Sequence, residues 1–232
     1  MDFQNKLAVV TGGGGFLGTA VVRDLLESGA QVAVPLYHEE EGDRLRDALG
    51  SLEPNLLATV CDLSSEQATM AWFAGLGPRL DLLACIAGGF AWSPIEDSDA
   101  STLERMLSMN LHSVYNSVRA ALPLFGAAGG GRIVTVGALP ALNGGGANMS
   151  AYVASKGALL SLTRALAEEL LPQSITVNAI VPTIIDTPTN RASMPDADTG
   201  KWLAPADIAR VIHFLAGPDA RLVTGSALSL AL

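Results

Sequence analysis

Short apolar runs and longer stretches of helical period take turns along the chain. Residues 7–10, Leu-Ala-Val-Val, form a continuous apolar run of the kind that fills a strand buried on both faces. Residues 16–28 follow with helical spacing until Gly29 stops them. The alternation continues with a strand at 31–36, a helix at 40–49, a strand at 56–60, a helix at 65–75 and a strand at 80–86. A long helical stretch at 101–125 leads to a strand at 132–136; 152–170 reads as helix, 175–181 as strand, 205–215 as helix and 222–230 as a last short strand. Strands that alternate with helices pair in parallel through right-handed crossovers, which predicts an α/β fold: a doubly wound parallel sheet with helices on both faces. No internal repeat beyond this alternation and no linker-like stretch divides the chain, so residues 1–232 are read as a single domain.

Sheets of this type bind ligands beyond the carboxyl ends of their strands. Three loops there draw the eye: 12–15, 137–148 and 182–204. The last is too long for a simple connector and predicts a segment that covers a substrate.

Composition narrows the partners. The chain is 49% hydrophobic and 16% charged, which suits a packed core. Lys plus Arg number 14 against 23 for Asp plus Glu, a net charge of -9 with no basic stripe, so nucleic acid is not expected. Met1-Asp2-Phe3-Gln4-Asn5-Lys6 carries an acid and runs straight into an apolar strand, unlike a signal peptide. The longest apolar stretch, 82–92, is well short of the roughly 18 residues a membrane span needs. The expectation is a cytoplasmic protein with no membrane partner. Cys61 and Cys85 end apolar runs, where a thiol fills core space, and His38, His112 and His213 lack ligand spacing, so no metal is expected.

Candidate chemistry begins at Thr11-Gly12-Gly13-Gly14-Gly15-Phe16-Leu17-Gly18, between the first strand and its helix. Glycines there let the backbone approach a pyrophosphate, which the free N–H groups of the helix start then hold; the alternative is a glycine-rich turn with no ligand. Tyr152 and Lys156 lie four residues apart on one predicted helix, hence on one face. A nearby ammonium favours a phenolate and so eases proton transfer near neutrality. A buried Tyr beside a solvated Lys is the other reading. Asn110, in mid-helix, needs either a surface position or a hydrogen-bond partner.

Together these motifs resemble the short-chain dehydrogenase/reductase family over almost the whole chain. Gly12, Gly15 and Gly18 are similar to its TGxxGxxG fingerprint, with Phe16 where the commoner variant has a glycine. Asp62 resembles the adenine-contacting Asp, and Ala87-Gly88 the tail of Asn-Asn-Ala-Gly, with Cys85 and Ile86 in place of the asparagines. Asn110 matches the active-site Asn, Tyr152-Val153-Ala154-Ser155-Lys156 the Tyr-x-x-x-Lys pair, and Pro182 with Thr187 the nicotinamide-side loop. The resemblance implies a Rossmann-like fold and an NAD(H)- or NADP(H)-dependent enzyme acting on a small molecule. It implies Tyr152, Lys156 and Asn110 as catalytic residues, with Asn110 sustaining a water-linked relay to Lys156. It also implies a cofactor site of Gly12, Gly15, Phe16, Leu17, Gly18, Leu36, Asp62, Leu63, Ala87, Gly88, Pro182, Ile185 and Thr187, with Tyr152 and Lys156, and a homodimer or homotetramer built on the long helices.

The pattern breaks after the fifth strand, where Ala138 stands in place of the Ser that polarises a substrate carbonyl. Loss of one such donor costs roughly 10²- to 10³-fold in rate, which disfavours ordinary ketone reduction unless Ser150, Asn143 or Asn148 substitutes. The quinonoid dihydropteridine reductase branch dispenses with that Ser, and the chain resembles it at 85–91 and at 185–198, with Trp202 after. This resemblance implies a small conjugated or quinonoid acceptor. A carbonyl reductase or alcohol dehydrogenase with a substitute donor, and a catalytically weak cofactor-binding regulator, are the alternatives. At the end of the second strand, Leu36-Tyr37-His38-Glu39-Glu40-Glu41 has neither the Asp typical of NAD nor a basic residue for NADP, and three carboxylates repel a 2′-phosphate, so NADH is the expected cofactor.

Overall fold

A computed structural model describes residues 3–232. Seven parallel strands form one sheet in the order β3-β2-β1-β4-β5-β6-β7: β1 Leu7–Thr11, β2 Gln31–Leu36, β3 Leu56–Val60, β4 Leu82–Cys85, β5 Gly131–Val136, β6 Ile175–Pro182 and β7 Ala227–Leu230. The chain winds outward from β1 in one direction and from β4 in the other, so a crevice opens where the order reverses, beyond the carboxyl ends of β1 and β4.

Successive side chains of a strand point to opposite faces. Ala8 and Val10 of β1 therefore join one apolar cluster, and Val9 the other. The first cluster packs the sheet against α1 Phe16–Glu27, α2 Glu39–Leu49 and α9 Pro205–Ala216. The second packs it against α3 Glu66–Ala74, α5 Ser113–Ala128 and α7 Ser150–Leu170, with α4 Ala100–Leu107 leading into α5. β6 is buried along its whole length, whereas edge strand β3 exposes Leu57 and Val60. The doubly wound α/β fold expected from the sequence is the one observed.

Three expectations change in detail. The helix expected at 101–125 is α4 and α5 joined by one wide π turn, Ser108–His112, and that turn carries Asn110. The 137–148 loop contains the short helix α6, Leu139–Asn143, started by Pro140. The 182–204 loop contains α8, Pro188–Ser193, where Pro188 follows Thr187, whose hydroxyl accepts from Asn190 N at 3.1 Å and caps the helix. The same loop is tied back by Leu203 N to Ile184 O at 2.8 Å and Asp186 N to Leu203 O at 2.8 Å. Turn chemistry acting over a few residues, not hydrophobic period, builds these pieces.

Candidate active site

The glycine loop leaves β1 at Thr11, whose hydroxyl accepts from Ile86 N and Ala87 N, both at 3.1 Å. This clamps the loop after β1 to the loop after β4. Gly12 has φ +68°, and a Cβ on it would fall 2.7 Å from Ala87 N. A Cβ on Gly18 would fall 2.0 Å from Gly12 O, so α1 starts flush against the turn only because Gly18 has no side chain. The extended Gly15 precedes α1 with no side-chain cap, and the amide groups of the helix start remain directed into the crevice.

That crevice is a cleft of about 640 Å³. Gly12, Gly15, Phe16, Leu17, Gly18, Asp62, Leu63, Ala87, Gly88, Ile185 and Thr187 all line it, as the sequence predicts. A backbone cradle that a single Cβ would fill, at the positive end of a helix, fits a dinucleotide pyrophosphate. Four expected members are not among its walls: Tyr152, Lys156, Leu36 and Pro182. Leu36 is buried in the core with its side chain against Gly42, because the alternation of β2 turns it away; Pro35 and Tyr37 take the cleft side. Pro182 ends β6 buried in the sheet and is not a wall of the cleft.

The cleft also takes in residues that the motifs do not mark: Tyr37, Glu41, Cys61, Ser64, Arg105, Met109 and Val136. Glu41 folds over the loop, its carboxylate accepting from Tyr37 N at 3.0 Å, and Gly14 has no room for a Cβ beside it. Glu39 and Glu40 are exposed and outside the cleft, so the expected trio of carboxylates reduces to one. The place of Glu41 in the first turn of α2, directly after β2, is the sequence signal for it. Cys61 and Cys85 are free buried thiols, and burial pushes Cys85 up to about 12.

Asn110 and Lys156 meet beneath Gly88, a wall of the crevice, while Tyr152 stands against Phe90. The π turn directs Asn110 inward, fully buried; its Oδ1 accepts from Gly89 N at 2.9 Å, and its Nδ2 donates to Gly89 O at 3.1 Å and Ser155 Oγ at 3.0 Å. The exposed alternative for Asn110 is thus excluded. Lys156 is 5% exposed and donates to Val136 O, at the end of β5, at 2.8 Å. A Cβ on Gly88 would lie 2.6 Å from Asn110 Oδ1 and 3.3 Å from Lys156 Nζ, so both side chains converge beneath that glycine. Burial lowers Lys156 to about 8.

Tyr152 is half-buried, and burial raises its hydroxyl above the usual phenol range. The sequence expectation was the reverse, a phenol lowered by the neighbouring ammonium. The physical reason is that the Lys156 head turns to Val136 and the Tyr152 ring lies against Phe90, with centroids 4.9 Å apart and planes at 78°. Trp92 sits beyond, 6.5 Å from Phe90, and both Phe90 and Trp92 are more than half exposed. Ala138 is buried, with only a methyl where a hydroxyl would serve a carbonyl. Asn143, Asn148 and Ser150 are all exposed, and none of them hydrogen-bonds Tyr152 among the described residues.

A strand-and-helix sheet with this cradle, and a Tyr-x-x-x-Lys pair beside it, defines an oxidoreductase built to hold a nicotinamide dinucleotide. The sequence profile described as short chain dehydrogenase matches residues 6–198, and the chain belongs to the short-chain dehydrogenase/reductase family. It is accordingly an NAD(P)-dependent oxidoreductase. It is 31% identical to the cyclic-di-GMP-binding biofilm dispersal mediator protein of Escherichia coli (strain K12), over 97% of this chain and 94% of the relative. It is 28% identical to the 3-oxoacyl-(acyl-carrier-protein) reductase FabG of the same organism, over 98% and 96%. Among solved structures it is similar to a short chain oxidoreductase from Pseudomonas aeruginosa PAO1 described as containing an atypical catalytic centre, with TM-score 0.89, 28% identity and coverage of 99% and 97%.

Proposed function

We propose that the chain reduces a small, flat, conjugated or quinonoid acceptor with NADH, in the manner of the dihydropteridine reductase-like branch of its family. The observation that carries this reading is the aromatic lip beside Tyr152, where the Phe90 ring lies 4.9 Å away with Trp92 beyond it, taken together with the buried methyl of Ala138 in the segment after β5. Aromatic edges and faces favour a flat π-system. A conjugated acceptor takes hydride readily and asks little of a carbonyl donor, so the absent hydroxyl costs little.

The nicotinamide supplies the hydride when bound. Gly12, Gly15 and Gly18 would hold its pyrophosphate against the start of α1, and Asp62 and Leu63 would meet the adenine and Ile185 and Thr187 the nicotinamide; all of them line the cleft. Thr187 uses one oxygen lone pair on Asn190 N, and its hydroxyl hydrogen is free to donate to a ligand acceptor. Tyr152 donates the proton. With its hydroxyl raised by burial, it stays neutral at pH 7 and is a general acid ready for the reductive direction. Lys156, held by Val136, keeps a positive charge beneath Gly88 that would meet the ribose side of a bound cofactor. Asn110 fixes the Gly88-Gly89 loop over that charge; a water-linked relay from Asn110 to Lys156 remains part of the proposal. The preference for NADH rests on Glu41, the only carboxylate beside the end of β2 that lines the cleft, which opposes a 2′-phosphate. Exposed Leu103 on α4 and Tyr115 on α5 support a homodimer or homotetramer, and we place the enzyme in the cytoplasm; no described helix is long and apolar enough to cross a membrane.

A second reading, a ligand-binding regulator of low turnover, is favoured by Ala138 together with the likeness to a relative named for the nucleotide it binds. NADH oxidation measured with a quinonoid dihydropterin, a quinone and a panel of simple ketones separates the two. Turnover of the first two and little of the third supports the reductase; no turnover of any supports the regulator.

A further inference from the structure

A second cavity, of about 470 Å³, lies at the opposite end of the sheet from the cofactor cleft, among the amino ends of the strands. Lys6 precedes β1, Asp81 precedes β4, Arg132 is the second residue of β5 and Ser174 precedes β6. The charges there do not balance. Asp81 accepts from Lys6 Nζ at 2.9 Å, from Arg79 Nη2 at 2.5 Å and Nε at 3.3 Å, and from Leu7 N at 3.1 Å. Burial pushes its carboxyl up, but the bonds from Arg79 and Lys6 outweigh this and hold it below the usual range, so it stays ionised and fully used. One carboxylate thus serves two cations, and nothing is left for Arg132.

Arg132 has no acidic partner among the described residues. Its Nη1 donates to Gly131 O at 2.9 Å, while its Nε is sealed from solvent without a partner. Protein walls in Nε, so a ligand would meet this guanidinium at its outer nitrogens, where no carboxylate offsets the charge. In a chain of net charge -9, this local excess of cations is an attractor for anions. The cavity wall beyond the cations is apolar, formed by Phe3, Ala216 and Pro218, and the planar fork of an Arg matches a carboxylate.

We propose that this cavity is a second ligand site, which takes a small organic carboxylate with its head on Arg132 and Lys6 and its apolar body on Phe3 and Pro218. A ligand there meets the amino ends of β1, β4 and β5, whose carboxyl ends build the cofactor cleft, so the two sites share strands but no walls.

The test is calorimetric titration of the full chain with benzoate and with inorganic phosphate, in the parent and in the Arg132→Gln and Arg132→Lys variants, each checked for unchanged NADH binding as evidence of an intact fold. The proposal expects one benzoate per chain, bound more tightly than phosphate. It expects roughly tenfold weakening or more in Arg132→Gln and a smaller loss in Arg132→Lys, where the charge stays but the fork is gone. Benzoate affinity unchanged in Arg132→Gln places any binding elsewhere and overturns the proposal, as does phosphate binding as tightly as benzoate. If Arg132→Gln fails to fold, a benzoate soak of parent crystals decides: density between Arg132 and Lys6 supports the site, and none there overturns it.

Discussion

The ε-ammonium of Lys156 donates to the carbonyl oxygen of Val136 at 2.8 Å, which fixes a buried charge to the carboxyl end of β5 and not to the phenol four residues before it. A lysine is expensive to bury charged, and its fall to about 8 from the model-compound 10.5 measures that cost. The unfolded chain binds this proton more tightly than the folded one, so stability is lowest where both states carry it, below about pH 8, and rises between about 8 and 10.5. The raised Cys85 thiol works in the opposite sense above about pH 9 and acts alike on parent and variant, so the difference in stability between the parent and Lys156→Met is the readout: denaturant titrations should show it shifting in favour of the parent from about pH 8 to 10.5. The same variant should lose NADH affinity and turnover together. A difference that does not change with pH, or intact affinity in the variant, contradicts the placement.

Tyr152→Phe removes the proposed acid while keeping the ring against Phe90. Turnover should fall about 10²-fold or more, the usual range for one positioned acid, while NADH affinity in a fluorescence titration stays within about twofold. Because burial raises the hydroxyl, the reverse, oxidative reaction should gain rate only at alkaline pH as the phenolate forms, with reduction favoured at neutrality. Half of the parent turnover in Tyr152→Phe excludes Tyr152 as the donor.

Glu41 accounts for cofactor choice through its position over the glycine loop. NADH should bind the parent more tightly than NADPH, and Glu41→Gln should narrow that ratio, whereas Glu39→Gln and Glu40→Gln should leave it alone. A tenfold preference of the parent for NADPH, about 1.4 kcal/mol, reverses the assignment.

Asn110 makes three polar contacts to Gly89 and Ser155 from a fully buried position. Asn110→Ala strands the N–H and carbonyl of Gly89 and should cost about 2 kcal/mol of unfolding free energy. Its effect on rate should exceed that of an equally destabilising change far from the cleft, such as Leu25→Val in α1. Equal losses in the two variants reduce Asn110 to a structural role.

The sheet was legible because burial on both faces writes itself as unbroken apolar runs: β1, β2, β3 and β6 fall within a residue of where the periodicity puts them. The glycine cradle was equally legible, since only glycine tolerates the approach of Gly12 to Ala87. What the sequence hid depends on short-range or tertiary choices. Period alone runs straight through 101–125, whereas the π turn at Asn110 is set by its bonds to Gly89 and Ser155. Spacing puts Tyr152 and Lys156 on one face, but the direction of each head group follows from Val136 and Phe90, far away in the chain. Leu36 was misplaced because a motif position says nothing about which side of a strand faces the core.

The central claim, reduction of an easily reduced conjugated acceptor at a site without a carbonyl donor, turns on Ala138. The decisive measurement is kcat/KM of the parent and of Ala138→Ser for a quinonoid dihydropterin and for a simple ketone. The account predicts that the parent strongly favours the dihydropterin. The substitution should leave that substrate within a few-fold and raise the ketone by about tenfold or more, as a restored donor of this type is worth up to roughly 10²- to 10³-fold. Ketone turnover already comparable in the parent, and unmoved by the new hydroxyl, contradicts it.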